Sequence, residues 1–455
     1  MERKKHRRAA EAVKSLLIVL LTLSAAYLAL RTQMYADFTG HQATGWLGAV
    51  LDFFDRGPGL LPPGGNESAH RLEVRPMRMA INVQGVGRYA VQYDQERTDE
   101  IFTRVFSTLL EALDGAQAPR QIGEDQWREA LSNLSGVYFD FQGTQPMSVL
   151  AALGGGSNPA LPDVGVRRLL LAENGSGDAV LYYSNETDGM YYACETTQAL
   201  QGHLQEIVMS YSVNGALFAY EGEYPGLDPY VLISQSTAAM PGSQSRPEIY
   251  NAANPVAEMS AGREDLLEAL GFHSQSNNSY RRGDRLVVNE WPYTLNILDN
   301  GTIYYETTAA DEPKYAVGTP GKPPTGLELV EATQALVEQS VGAQAWRGEA
   351  GIYLMGVTET AEGVWQVDYG YSLNGITVQT GAEGYAARFI IEDGQISAFT
   401  LHMRSYADTG ESSSVLPDVQ AAAAMGALDA GGKELTLTYE DPGGTERLQA
   451  RWIAQ

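Results

Sequence analysis

Cysteine is almost missing from this chain of 455 residues. Cys194 stands alone, so no internal disulfide is possible and the fold has to rest on its core. Positive charge is scarce as well: Lys and Arg total 31 against 56 Asp and Glu, for a net charge of −25. A polyanion of this size does not hold nucleic acid or anionic lipid on its general surface, so no nucleic-acid partner is expected. Histidine is thin and scattered. His6, His41, His70, His203, His273 and His402 form no metal-ligand spacing with one another or with Asp or Glu. There is no phosphate-binding loop, no nucleophile elbow, no Cys paired with a His and no Asp-rich calcium loop. Cys194 itself lies in a tyrosine-rich strand pattern and reads as a buried small hydrophobe. Neither enzyme activity nor a cofactor is expected.

Long apolar runs are also lacking, with one exception. Ser15 to Leu30, SLLIVLLTLSAAYLAL, is sixteen residues without a charge. At ~1.5 Å per residue it reaches ~24 Å of a hydrocarbon core ~30 Å thick. Lys14 and Arg31 at its ends snorkel and lengthen it. Arg3, Lys4, Lys5, Arg7, Arg8 and Lys14 precede it, which keeps the N-terminus cytoplasmic. The expectation is a single-pass protein of the cell membrane with an acidic extracytoplasmic bulk. A cleaved secretory signal is the alternative, with a small-x-small site at Ser24-Ala25-Ala26. Helix association in lipid rests on close packing of small residues, and Thr22, Ser24, Ala25, Ala26 and Ala29 offer such a partner-binding face.

What remains is rich in Gly and Tyr, 48 and 25 of them, and reads as turn-rich antiparallel sheet with packed helices, an α+β fold. Expected boundaries are a cytoplasmic tail 1–14, a span 15–31, and a juxtamembrane segment with a Gly/Pro linker 32–76. An N-terminal α+β domain 77–240, a central domain 241–320 and a C-terminal α+β domain 321–455 follow. Strands are expected at Arg78 to Val83, Tyr89 to Tyr93, Gly136 to Phe141 and Val166 to Ala172. A hairpin should turn at Asp188-Gly189, and another at Asn300-Gly301. Periodicity predicts helices at Arg97 to Leu113 with Thr98 as N-cap, Glu124 to Leu134, Thr196 to Met209, Arg263 to Leu270, Leu327 to Val341 and Val419 to Leu428. Met240 to Pro255 reads as a connection between domains. In the last third, strands are expected at Gly351 to Thr358, Val364 to Leu373, Ile376 to Thr380, Tyr385 to Ile391, Ile396 to Tyr406, Glu434 to Tyr439 and Leu448 to Ile453. Tyr211-Ser212-Val213-Asn214-Gly215 recurs as Tyr371-Ser372-Leu373-Asn374-Gly375, which reads either as a duplicated unit or as shared turn chemistry.

In this order of parts the chain resembles the YycH/YycI family of single-span regulators that accompany an essential sensor histidine kinase in Gram-positive bacteria. Three stretches carry the resemblance. One is the short basic tail and single span before a large outer region. A second is Leu266 to Tyr305, with Tyr280, Gly283, Arg285, Leu286 and Val288 on a Tyr-x-x-Gly-x-Arg-Leu-x-Val pattern. A third is the closing sheet from Val364 to Tyr406 and the final strand through Trp452. The family's pattern has proline at the position of Ala450, a departure that bears on strand-end geometry. The resemblance implies a non-catalytic regulator of a two-component signal-transduction system. The partners implied are the membrane, a WalK/YycG-type sensor histidine kinase and a sister YycI-type single-span protein. An anchored or secreted module that binds cell-wall polymer or a protease is the alternative function.

Overall fold

The computed structural model describes residues 74–454 apart from 200–206, 208–209, 223, 235–245, 259–262, 274–277, 308–312, 320, 344–348 and 427–431. All described residues fall in the unit Pro62–Gln455. The expected span, with Thr22, Ser24, Ala25, Ala26 and Ala29, lies outside them, as do the tail and nearly all of the juxtamembrane segment. Among the described residues, no helix is long and apolar enough to cross a membrane.

The first sheet has seven strands: β1 (Arg78–Val83), β2 (Gly87–Gln92), β3 (Arg120–Ile122), β4 (Gly136–Pro146), β5 (Gly165–Glu173), β6 (Asp178–Asn185) and β7 (Met190–Ala199). Their order is β2-β1-β4-β5-β6-β7-β3, antiparallel throughout. Runs such as VYF in β4 and LLLA in β5 are apolar at successive positions, the pattern of a strand covered on both faces. Both faces are indeed covered. On one side lie α1 (Gln95–Asp114) and α3 (Met147–Ala152), with Phe102 of α1 edge-on to Phe139 at 6.1 Å. On the other lie α2 (Glu124–Asn133), with Trp127 fully buried, and the ribbon β8 (Leu217–Phe218) with β9 (Leu232–Ile233).

Two expectations fail in this half. The N-cap of α1 is Asp94, whose carboxylate accepts from Arg97 N, and Thr98 sits inside the first turn donating to Asp94 O at 2.9 Å. Asp94, at φ −150°, is extended, so the helix starts earlier than the apolar periodicity shows. The helix expected from Thr196 does not begin there. β7 runs on to Ala199 opposite Asp178, and the Thr196 hydroxyl donates to Ala179 O. Pairing with β6 overrides local helical periodicity. Most of Leu200 to Met209 lies outside the described residues.

The chain then adds β10 (Glu248–Ala253), α4 (Pro255–Glu258) and α5 (Arg263–Ala269). β10 falls where a bare connection was expected, and it pairs with strands from the far end of the chain. Four short strands form a meander: β11 (Ser279–Arg282), β12 (Arg285–Glu290), β13 (Tyr293–Leu298) and β14 (Thr302–Thr307). Helix α6 (Gly326–Val337) follows, capped by Thr325 and extended by a π-helical turn, Glu338–Gly342. Next come β15 (Ala350–Ala361), β16 (Val364–Leu373), β17 (Ile376–Thr380), β18 (Ala387–Glu392), β19 (Gln395–His402) and β20 (Ser405–Ser412). The last elements are α7 (Asp418–Gly426), β21 (Leu435–Asp441), β22 (Arg447–Leu448) and β23 (Arg451–Ala454).

The second sheet has eleven strands in the order β11-β12-β13-β14-β19-β18-β16-β17-β21-β23, with β15 also on β16. It thus takes strands from both sides of residue 320, and only β17 and β21 run parallel. The strand expected at Ile396 to Tyr406 is two. β19 ends at His402, and β20 leaves for a three-stranded sheet, β20-β10-β22. Leu448 and Trp452 likewise belong to different strands, β22 and β23. The repeated Asn-Gly elements are not equivalent either. Asn374-Gly375 makes the tight β16–β17 hairpin, with φ of 50° and 77°. Asn214 is in coil and clips the open edge of β2, exchanging hydrogen bonds with Ala90 N (3.1 Å) and Ala90 O (2.7 Å).

Candidate functional site

Three places in the described residues combine polar side chains with burial or exposure in unusual ways. The first is the seam where the two large sheets meet. Arg78 of β1, Asp140 of β4 and Arg167 of β5 converge on Glu434, the residue before β21. Arg167 grips both carboxylate oxygens of Glu434, at 2.6 and 2.7 Å, and Arg78 reaches it at 2.9 Å. Further polar contacts cross the seam beside the edge-on ring pair Tyr93–Trp452 at 5.6 Å. Gln92 donates to Asp418 at 2.7 Å, Gln145 to Leu354 O at 3.1 Å, and Leu437 N to the Tyr93 hydroxyl at 3.2 Å. Gly143 passes so close to β15 that a Cβ there would collide with the Leu354 carbonyl.

The electrostatics of the seam are those of a clamp. Burial would raise the pKa of Glu434 and of Asp140, but Arg167 and Arg78 outweigh it and hold both below the ordinary carboxylate range. Glu221, gripped by Arg88, and Glu290, bonded by His273 and Lys314, are lowered in the same way against the effect of burial. Carboxylates held ionised by arginine do not serve as general acids at neutral pH. A second buried clamp joins Arg404 to Asp441 at 2.6 and 2.8 Å, with Tyr406 donating to the same carboxylate. Burial pushes the Cys194 thiol up to about 12, so it stays a thiol rather than a nucleophilic thiolate. Among the described residues, no three His, Cys, Asp or Glu side chains come together as a metal would require.

The second place is a cavity of about 640 Å³ beside α2, lined by Arg128, Tyr220, Tyr224, Pro225, Leu227 and Pro229 among others. Its one charged lining residue, Arg128, is tied to Glu124 at 2.6 Å. An acid–base pair is absent from its lining.

The third is the meander β11–β14. Alternation sends Val288, Leu295, Tyr305 and Phe399 to one face, where Tyr305 meets Phe272, Tyr315 and Phe399 at 6.2, 5.1 and 4.8 Å. The opposite face carries the register row Tyr280, Val287, Asn296, Tyr304 and Thr400. Tyr280 is 53 % and Tyr304 43 % exposed, and Trp291, in the β12–β13 turn, is 84 % exposed. Sequence periodicity places these residues on strands but does not say which face is left open. The only local signal is a Trp-Pro pair at a turn, where a core tryptophan is not expected. The Tyr280, Gly283, Arg285, Leu286, Val288 pattern lies on the β11–β12 hairpin, with Gly283 at φ 66° in its turn. The small-residue face of the expected span, from Thr22 to Ala29, has no counterpart in these three places, since it lies outside the described residues.

No family model matches the chain, and no curated protein matches it. Among solved structures, the crystal structure of YycH from Bacillus subtilis is similar, with a TM-score of 0.54 and 13% sequence identity. The match covers 84% of this chain and 93% of that one. The likeness shows a shared fold of mixed α and β, with mostly antiparallel sheets and few helices.

Proposed function

We propose that this chain is a non-catalytic, membrane-anchored regulator of a cell-envelope two-component sensor histidine kinase. The observation that carries the reading is the YycH-like fold over 84% of the chain. It is supported by the family-like order of basic tail, apolar segment and outer region. Ionisable groups locked into arginine clamps add to it. In this reading Ser15 to Leu30 crosses the cell membrane once, with the basic tail inside. Thr22, Ser24, Ala25, Ala26 and Ala29 pack against a helix of the kinase, and the outer region makes further contacts with the kinase and with a YycI-type sister protein.

The test exchanges Ser15 to Leu30 for an unrelated apolar span of equal length while leaving the outer region intact. Kinase output, read from a reporter of its response regulator, should change by several-fold. Output identical to the parent, with the exchanged protein present in the membrane at equal amount, would sink the helix-contact mechanism. Failure of the kinase to co-purify from detergent with the unaltered protein would sink the partner assignment itself.

A further inference from the structure

The geometry points to the open face of the β11–β14 meander as the docking surface for an extended, acidic segment of a partner protein. This rests on the reading of the chain as a partner-binding rather than catalytic protein, but not on the span. Seven large apolar side chains are exposed among the described residues, and three are aromatic: Tyr280, Trp291 and Tyr304. All three fall on this one meander. Antiparallel sheets commonly show water a polar face, so a bare sheet face alone means little. A tryptophan 84 % exposed on the same meander as two half-exposed tyrosines is a different surface.

Charge selects the occupant. Arg282 is on the same face as Tyr280, two residues along β11, and Arg285 opposes it across the hairpin turn. Arg281, on the other face, is spent on Asp299 at 2.5 Å. Arg282 has no ion pair among the described residues, and the carboxylate near Arg285 is the neighbouring Asp284 at 3.8 Å. Two exposed guanidiniums on a chain of net charge −25 are a local invitation to carboxylates. Tryptophan, tyrosine and arginine are also the side chains that dominate protein–protein hot spots. Nucleic acid is repelled by the rest of the surface.

Size selects an extended segment rather than a domain face. From Tyr280 to Tyr304 the row crosses three strand spacings, or ~14 Å at ~4.8 Å each. From Arg285 to Trp291 the face runs ~20 Å at ~3.3 Å per residue. A strip of that length takes about six residues of extended chain. Carboxylates of the segment meet Arg282 and Arg285, and its apolar or proline side chains lie on Tyr280, Trp291 and Tyr304 above the floor formed by Val287.

The experiment uses the full chain and a fluorescent octapeptide alternating glutamate with proline and valine. A lysine-for-glutamate counterpart and soluble peptidoglycan fragments serve as the other arms. Anisotropy should show the acidic peptide binding at least tenfold tighter than the basic one, with the difference shrinking as salt rises. The double variant R282E/R285E should invert the preference, and Trp291→Ala should weaken the acidic peptide about tenfold. If the charge reversal fails to fold, Tyr280→Ser with Trp291→Ser, both on exposed side chains, gives the same reading. Equal binding of the two peptides, no binding of either, or capture of the glycan fragments instead would overturn the proposal. Each of these results is independent of the span exchange, so the two readings fail separately.

Discussion

Tyr138 and Tyr304 are both strand tyrosines, yet the first is 3 % exposed and the second 43 %. Tyr138 belongs to β4, whose neighbours Val137, Phe139 and Phe141 are all buried, so β4 is enclosed between α1 on one face and α2 with β8–β9 on the other. Tyr304 belongs to β14, where Ile303 and Tyr305 are buried and Tyr304 and Glu306 point to water. The seven-stranded sheet spends both faces on the core. At its meander end the eleven-stranded sheet spends one and leaves the other for contact. Surface available for recognition is therefore unevenly divided between the two, and the same residue type plays a core part in one and an exposed part in the other.

Four changes break or sharpen this contrast. Phe139→Ala, in the enclosed sheet, should cost about 3–5 kcal/mol, because cavity and transfer terms add in a site that cannot collapse. Urea unfolding measures it, and a loss under about 1 kcal/mol would show that β4 is not enclosed. Glu434→Gln, at the seam, should cost about 3 kcal/mol, since Arg78 and Arg167 would then face each other with Asp140 alone. The same pair sets an acid limit. Glu434 and Asp140 titrate lower in the folded protein than their ordinary 4.5 and 3.8. Their contribution is therefore complete above that range and is lost as pH falls through it toward the depressed folded values. Unfolding followed from pH 7 to pH 2 should show the parent losing stability below about pH 4.5 and E434Q losing less.

The third change, Thr325→Ala, removes the cap of α6, whose hydroxyl accepts from Glu328 N at 3.2 Å. It should cost about 1 kcal/mol, read as a lower melting temperature. Tyr304→Ala, on the open face, should shift stability by no more than about 0.5 kcal/mol. A larger loss would mean that Tyr304 supports the sheet and is not held out for a partner.

Much of the sheet was legible because alternation and turn chemistry are local. Asn300-Gly301, Asn374-Gly375 and Asp393-Gly394 all turn between strands, at the positions their residue types demand. Trp127 and Leu131 point inward on α2 as their spacing requires. Partner choice was not legible. β10 contains Tyr250, Asn251 and Ala252, which show no core run, and becomes a strand only because Tyr406 and Leu448 arrive beside it. The break between β19 and β20 is equally invisible, since Met403 and Arg404 continue the apolar and polar alternation while the chain changes sheets. The clamps at Glu434 and Asp441 each join residues far apart in sequence, and no spacing rule reports them. The open aromatic face was missed for a related reason. Its exposure depends on which face Phe272, Tyr315 and Phe399 come to cover, not on β11–β14 themselves.

The seam also fixes an order of events. Arg78 is separated from Glu434 by 356 positions and Arg167 by 267. At the usual ~5–20 residues per second of synthesis, Arg167 waits on the order of ten to fifty seconds for its partner. For that time β1, β4 and β5 can pair, but two arginines and one aspartate stand at an unfinished, hydrated edge. Closing so long a loop adds little to the equilibrium cost, which grows only with the logarithm of length, but it makes the seam a late step. Glu434 thus works as a completion mark: Gln145 can meet Leu354 earlier, but the arginine clamp closes only once nearly the whole chain has been delivered.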